Sequence, residues 1–265
     1  MFPRIVATDL DGTIVRRDGT ISPRTIGCLR ELQSRGVQVV FATGRPPRWL
    51  YPAVRATGVD SRAICSNGAQ IFDPRTSEVV AEETLDTSVS LEIARDMRAT
   101  FEDARFAVEV GLDFGHEPGF APGWDPPDGS QVASVEALLS RPVVKLMVRS
   151  PKTDPDQLLH QAYDIVGTRA TVTRSIGISL VEISRRGINK ATGLAFLADQ
   201  LEVAPDQVLA FGDQTNDAPM FEWAGRSVAV GNAHQDAKDK ADEVTLDVED
   251  DGVAVVLERL FLEGN

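Results

Sequence analysis

The chain has 265 residues, 42 % hydrophobic and 25 % charged, the balance of a globular protein long enough to bury one large core or two modest ones. Its formal net charge of −13 leaves no basic face of the kind that nucleic acid or an anionic membrane requires. No stretch approaches the roughly 20 apolar residues of a membrane span, Arg4 interrupts any signal-like start, and Cys28 and Cys65 are too few for a disulfide framework. A cytoplasmic, reducing setting is the expectation.

The first third alternates strand and helix. Ile5-Val6-Ala7 reads as a buried strand running into Asp9-Leu10-Asp11-Gly12-Thr13. Two carboxylates one residue apart at a strand end are costly unless a cation or a reaction needs them. In extended backbone they point to different sides, so each is free for a separate task. Gly12 permits a sharp turn, and the Thr13 hydroxyl is expected to fix it. Ser22 then caps a helix with Pro23 at its first position, an apolar face of Ile26, Leu29 and Leu32, and Gly36 as terminator. Val37 to Ala42 is a nearly all-apolar strand, as in a parallel sheet buried on both faces, and it leads to Thr43-Gly44-Arg45. A third strand, Ala63-Ile64-Cys65, ends at Ser66-Asn67-Gly68, and a hairpin follows around Asp73-Pro74-Arg75.

The middle of the chain is of another kind. A helix over Leu91–Phe101 and a strand over Arg105–Val110 precede an irregular loop from Gly111 to Gly129, which holds five glycines and four prolines. A strand at Val143–Val148, a helix at Asp156–Val166 and two strands at Thr171–Arg174 and Ser179–Ile183 complete an α+β block. From Asn189, a helix cap, the alternation resumes: a helix to Leu201, a strand Val208–Phe211, Gly212-Asp213-Gln214-Thr215-Asn216-Asp217, and further short elements. The acidic run from Asp236 to Asp251 reads as a solvated face. The expected architecture is α/β, a doubly wound, mostly parallel Rossmann-like sheet built from residues 1–84 and 187–265, with residues 85–186 inserted as an α+β cap domain.

Four segments fall at core strand ends or a helix start, the edge where open α/β sheets bind ligands. Asp9 can attack phosphorus as a carboxylate nucleophile, while Asp11 can serve as acid for the leaving oxygen and then as base for water. Asp9 with Asp213 forms an oxygen cluster suited to Mg²⁺, whose charge would offset carboxylate–phosphate repulsion. Thr43 and the Gly44 amide can hydrogen-bond phosphoryl oxygens, and Lys190, in the first turn of a helix, adds an ammonium to the positive end of the dipole. Asp217 would hold Lys190 or a metal-bound water, and Asn216 would contact substrate or the metal's water shell. An EF-hand reading of the first motif fails because Ile14 stands where glycine is required.

Asp9-Leu10-Asp11-Gly12-Thr13, Ala42-Thr43-Gly44-Arg45, Ser66-Asn67-Gly68-Ala69, Leu180-Val181-Glu182-Ile183 leading to Gly187-Ile188-Asn189-Lys190, and Gly212–Asp217 together resemble the haloacid dehalogenase superfamily. The likeness spans the whole chain and is to the Cof-like phosphatases with a large cap. The resemblance implies Asp9 as nucleophile, Asp11 as acid/base and Lys190 as the phosphate-binding lysine. It also implies Mg²⁺ ligation by the Asp9 carboxylate, the Asp11 backbone carbonyl and Asp213. Gln214 and Asn189 depart from the residues frequent there; neither is a reacting group.

The expected reaction is Mg²⁺-dependent hydrolysis of a phosphomonoester of a small metabolite, such as a sugar phosphate, through an aspartyl-phosphate. The expected partner is that metabolite, with no nucleic acid and no membrane, and the chain a monomer or small homo-oligomer. A phosphomutase of the same superfamily and a non-catalytic sugar- or phosphate-binding module are the alternatives. Candidate substrate selectors in the cap are Glu109, Asp113, His116 and Trp124 near the irregular loop, with Arg149 and Arg174 at strand ends, where solvated surface roles compete.

Overall fold

The structure is a computed structural model that describes residues 2–121, 123–174 and 179–263, the side chains of Arg174 and Glu263 excepted. In chain order the first elements are β1 (Ile5–Thr8), α1 (Pro23–Ser34), β2 (Gln38–Phe41), α2 (Tyr51–Thr57), β3 (Ala63–Cys65), β4 (Gln70–Asp73) and β5 (Glu78–Glu82). Next come α3 (Thr87–Thr100), β6 (Arg105–Val110), β7 (Asp113–His116), β8 (Gln131–Val132), α4 (Val135–Leu138), β9 (Lys145–Arg149), α5 (Pro155–Val166), β10 (Ala170–Arg174) and β11 (Leu180–Arg185). The last are α6 (Lys190–Gln200), β12 (Val208–Gly212), α7 (Ala218–Trp223), β13 (Arg226–Ala229), α8 (Gln235–Lys238), β14 (Glu243–Val244) and α9 (Gly252–Glu263). They form two compact units, residues 1–81 with 189–265, and residues 82–188.

The first unit carries a five-stranded sheet in the order β14-β13-β12-β1-β2, every pairing parallel. β1 lies inside it, between β12 and β2, with all four residues buried, as strands covered on both faces must be. The chain leaves β1 towards β2 on one side and builds β12, β13 and β14 on the other. The direction of winding therefore reverses between β1 and β12, and the crevice at their carboxyl ends is the place such sheets reserve for ligands. β3 continues the sheet through an isolated parallel bridge between Ala42 and Ile64, then pairs with β4. Ser22 caps α1 by accepting from the Thr25 amide at 3.0 Å, and Gly36 takes a left-handed φ of +81° just past the helix end. Cys28 and Cys65 are both buried and form no disulfide; burial pushes the Cys28 thiol up to about 11.

The inserted unit is a six-stranded sheet in the order β10-β11-β9-β6-β7-β8, antiparallel except for the β7–β8 pair. Phe106, Val108, Leu146, Val148, Val181 and Ile183 pack in one cluster with Ile93, Met97, Leu158 and Val166 from α3 and α5. The alternate positions Ala107, Met147 and Leu180 join Phe114 and Phe120 in a separate cluster, as period-two alternation requires.

One expectation for this unit is corrected. The stretch 111–129 is not wholly irregular, because Asp113–His116 forms β7 against β6. Its glycines hid the strand: Gly115 lies so close to Leu138 that a Cβ would stand 2.7 Å from a Leu138 methyl. Glu109, a candidate selector in the expected strand, lies buried in β6, which removes the competing solvated role; it is in register with Lys145, whose ammonium donates to Glu182 at 2.7 Å. Asp113 is exposed, the His116 ring meets the Glu117 carbonyl at 2.9 Å, and Trp124 packs on Phe114 with ring centroids 5.5 Å apart. Arg149 ends β9, and the Arg174 side chain lies outside the described residues.

Phe211 is fully buried in β12, the middle strand of the five, beside β1. Phe211→Ala is expected to lower unfolding free energy by roughly 3–5 kcal/mol, read as an earlier urea midpoint at unchanged slope.

Candidate active site

Asp9 directly follows β1, and its amide donates to the Phe211 carbonyl of β12 at 3.0 Å, so the two strand ends are tied at the first candidate residue. Gly12 then turns with φ +80°. A Cβ there would stand 2.5 Å from Asp213 Oδ2, so the residue is glycine for its backbone and for the close approach of the acidic loop. Against the expectation from sequence, the Thr13 hydroxyl does not fix its own turn. That turn is closed by backbone bonds from Thr13, Ile14 and Val15 to the Leu10 carbonyl, and the hydroxyl donates across the site to Asp213 Oδ1 at 3.1 Å.

Lys190 begins α6 behind its cap Asn189, whose side chain accepts from the Thr192 amide at 3.1 Å. The Lys190 side chain is fully buried and its ammonium lies between two carboxylates, 2.8 Å from Asp9 Oδ1 and 2.6 Å from Asp217 Oδ1. The other Asp217 oxygen accepts from the Asp213 and Gln214 amides, each at 2.9 Å. Asp217 is thus a brace, binding the lysine with one oxygen and shaping the acidic loop with the other. Gly212 makes that possible, since a Cβ there would fall 2.4 Å from the Asp217 carboxyl carbon.

Asp9, Asp213 and Asp217 each offer a carboxylate oxygen within 4.8 Å of the others. Against the single positive charge of Lys190 this leaves two negative charges in a buried cluster. Burial, with Asp217 and Asp213 close by, holds the Asp9 carboxyl well above the usual carboxylate range despite the pull of Lys190. Burial and then Asp217 push Asp213 up to about 6. Burial opposes the Lys190 charge, yet Asp217 and Asp9 together raise the ammonium above an ordinary lysine. An all-oxygen donor set with two uncompensated charges fits a hard divalent cation, and Asp9 and Asp213 are the side chains that would hold it.

Asp11 stands apart from this cluster. Its side chain is 56 % exposed and forms a two-pronged pair with Arg45, Nε to Oδ2 at 2.7 Å and Nη2 to Oδ1 at 2.5 Å. Arg45 also donates to the Trp49 carbonyl at 3.2 Å. In the sequence Arg45 stands out only as the last residue of the Ala42-Thr43-Gly44-Arg45 motif; its pairing with a carboxylate 34 positions earlier has no local signal.

Thr43 and Asn216 belong to a second group centred on Asn67. Thr43 Oγ1 accepts from the Arg45 amide at 3.1 Å, and its carbonyl accepts from the Asn67 amide at 3.0 Å. A Cβ on Gly44 would stand 3.1 Å from Asn67 Oδ1. Asn216 Nδ2 donates to that same oxygen at 2.9 Å. Other residues without a sequence-assigned role also brace the site: Gln214 donates to Asp213 Oδ2 at 2.9 Å, and Asn232 donates to the Gly12 carbonyl at 2.8 Å.

A family model described as haloacid dehalogenase-like hydrolase matches residues 6–257. A 5-amino-6-(5-phospho-D-ribitylamino)uracil phosphatase of Bacillus subtilis is 26 % identical over 271 residues, which cover 98 % of this chain and 98 % of that one. A pyridoxal phosphate phosphatase of Escherichia coli is 26 % identical over 264 residues, covering 96 % of this chain and 97 % of that one. The solved structure of a haloacid dehalogenase-like hydrolase from Bacteroides thetaiotaomicron superposes with a TM-score of 0.78 at 26 % identity, covering 97 % of this chain and 99 % of that one. With the match running from the first strand into the last helix, the chain belongs to the haloacid dehalogenase-like hydrolases.

Proposed function

We propose that this protein is a Mg²⁺-dependent phosphatase that hydrolyses a phosphomonoester of a small metabolite through a phosphoryl group carried on Asp9. The observation that carries the reading is the buried Asp9–Lys190–Asp217 bridge beside Asp213 at the switch point of the sheet. It supplies a nucleophilic carboxylate, an ammonium to meet phosphoryl charge, and an excess of two negative charges suited to a divalent ion. The relatives named for phosphorylated metabolites support the substrate class.

In the first step an Asp9 oxygen attacks phosphorus and the ester P–O bond breaks. Lys190, Thr43 and the Gly44 amide meet the phosphoryl oxygens, and Asp11 gives its proton to the departing alkoxide. Asp11 is engaged by Arg45, so proton delivery entails separation from the guanidinium. In the second step water attacks phosphorus, Asp11 takes its proton, and the acyl-phosphate P–O bond breaks to restore the Asp9 carboxylate and release inorganic phosphate. A divalent cation on Asp9, Asp213 and the Asp11 carbonyl would offset the repulsion between these carboxylates and the substrate.

Asp9→Asn is expected to lower kcat by roughly 10³-fold or more, because an amide does not attack phosphorus, while the circular dichroism spectrum stays native. Near-native turnover by that variant contradicts the mechanism. EDTA is expected to stop phosphate release and added Mg²⁺ to restore it, with inorganic phosphate accumulating one for one with the dephosphorylated product.

The pH dependence follows from Asp213. In the folded, metal-free chain its carboxyl keeps its proton up to about pH 6, whereas the unfolded chain releases it near 3.8. The folded state then binds more protons, so this group's contribution to stability is present below about pH 4 and is lost as pH rises towards 6 and beyond. Thermal melts are expected to show Mg²⁺ raising the midpoint more at pH 7 than at pH 5, since metal and proton compete for the same carboxylates.

A further inference from the structure

Ser66, Asn67 and Gly68 follow β3 as three successive residues with left-handed backbone, φ 51°, 57° and 100°. Two of them are not glycine, and such residues cost on the order of 1–3 kcal/mol each unless their surroundings hold them. The surroundings here are the other three loops of the site. Towards the Thr43 loop, the Ser66 amide donates to the Arg45 carbonyl at 2.9 Å, the Asn67 amide donates to the Thr43 carbonyl, and the Asn67 oxygen lies against Gly44. Towards the lysine helix, Gly68 lies so close to Asn189 that a Cβ would stand 2.0 Å from the Asn189 carbonyl oxygen and 3.3 Å from the Lys190 nitrogen. Towards the acidic loop, the buried Asn67 carboxamide accepts from Asn216 at 2.9 Å, and the remaining Asn216 oxygen is buried with no hydrogen-bond partner among the described residues.

We infer that Asn67 is a positioning residue of the phosphoryl site, acting through Asn216. The strained turn aims the Asn67 carboxamide at the seam between the Thr43-Gly44 loop and the acidic loop. There it fixes the orientation of Asn216 and leaves the Asn216 oxygen as an acceptor for a water beside the bound phosphate monoester. The strain has a purpose on this account, since a relaxed turn would withdraw Asn67 from both loops. The inference rests on the phosphatase reading of the site, but its test separates the two.

Asn67→Gly removes the carboxamide and keeps a residue at ease with positive φ. With Mg²⁺ and p-nitrophenyl phosphate, this variant is expected to melt at or above the wild-type temperature. Its KM and its inhibition constant for inorganic phosphate are each expected to rise about tenfold, the scale of one lost hydrogen bond. Asn216→Ala is expected to do the same, and the double variant no more than either single one. A variant merely loosened in structure would melt early, whereas Asn67→Gly does not. Wild-type KM and phosphate inhibition in Asn67→Gly, or effects that multiply to about a hundredfold in the double variant, overturn the inference while the phosphatase reading stands. If wild-type protein hydrolyses no ester, the phosphatase reading fails. Calorimetric binding of inorganic phosphate then judges Asn67 by the same tenfold difference, with equal or no binding by wild type and variant overturning it.

Discussion

A fully buried ammonium between two buried carboxylates is the interaction on which the rest of this site depends. Lys190 without Asp9 and Asp217 would be an uncompensated charge in the core, and removing one partner of such a group is among the costliest changes a protein tolerates. The bridge joins the start of α6 to the end of β1 and to the loop after β12, three segments far apart in sequence. Asp217 extends the constraint by taking the amides of Asp213 and Gln214, so the loop that presents Asp213 is shaped by the carboxylate that holds the lysine. Gly12 and Gly212 follow as consequences, because the acidic loop approaches both too closely for a Cβ.

The buried acidic cluster and the whole molecule carry charge of the same sign. A chain of net charge −13 repels an anionic substrate at long range, so capture depends on local groups. Lys190 and the helix start behind it are such groups, and a divalent ion on the acidic cluster would be the largest of them. Some of the acidic side chains near the C-terminus are partnered internally. Glu243 pairs with Arg226 and Arg259, Asp251 pairs with Arg16, and Asp242 accepts from the Ser227 amide and hydroxyl. The run from Asp236 to Asp251 is therefore partly a set of fastenings for the last strands and α9, and not only a solvated face.

The core strands were legible because burial on both faces writes itself as unbroken apolar runs, as at Val37–Ala42, and because caps such as Ser22-Pro23 and Asn189 mark helix starts locally. The reacting groups were legible for the same reason: carboxylates at apolar strand ends have no cheap structural excuse. What the sequence hid depends on pairing across long separations. Arg45 on Asp11, Thr13 on Asp213 and Asn67 on Asn216 join residues 34, 200 and 149 positions apart, and none has a local pattern. In the inserted unit β7 was masked by the glycines and prolines around it, of which Gly115 serves packing, and the burial of Glu109 has no local signal because its charge leaves a solvated role open.

The central claim, that phosphorus is transferred to Asp9 before water takes it, is tested most directly by trapping the covalent intermediate. Acid quenching within the first turnover, followed by peptide mass spectrometry, is predicted to find a phosphoryl group on the peptide carrying Asp9 and none in Asp9→Asn. Rapid phosphate release with no phosphorylated peptide, or a phosphoryl group on another residue, would contradict the account.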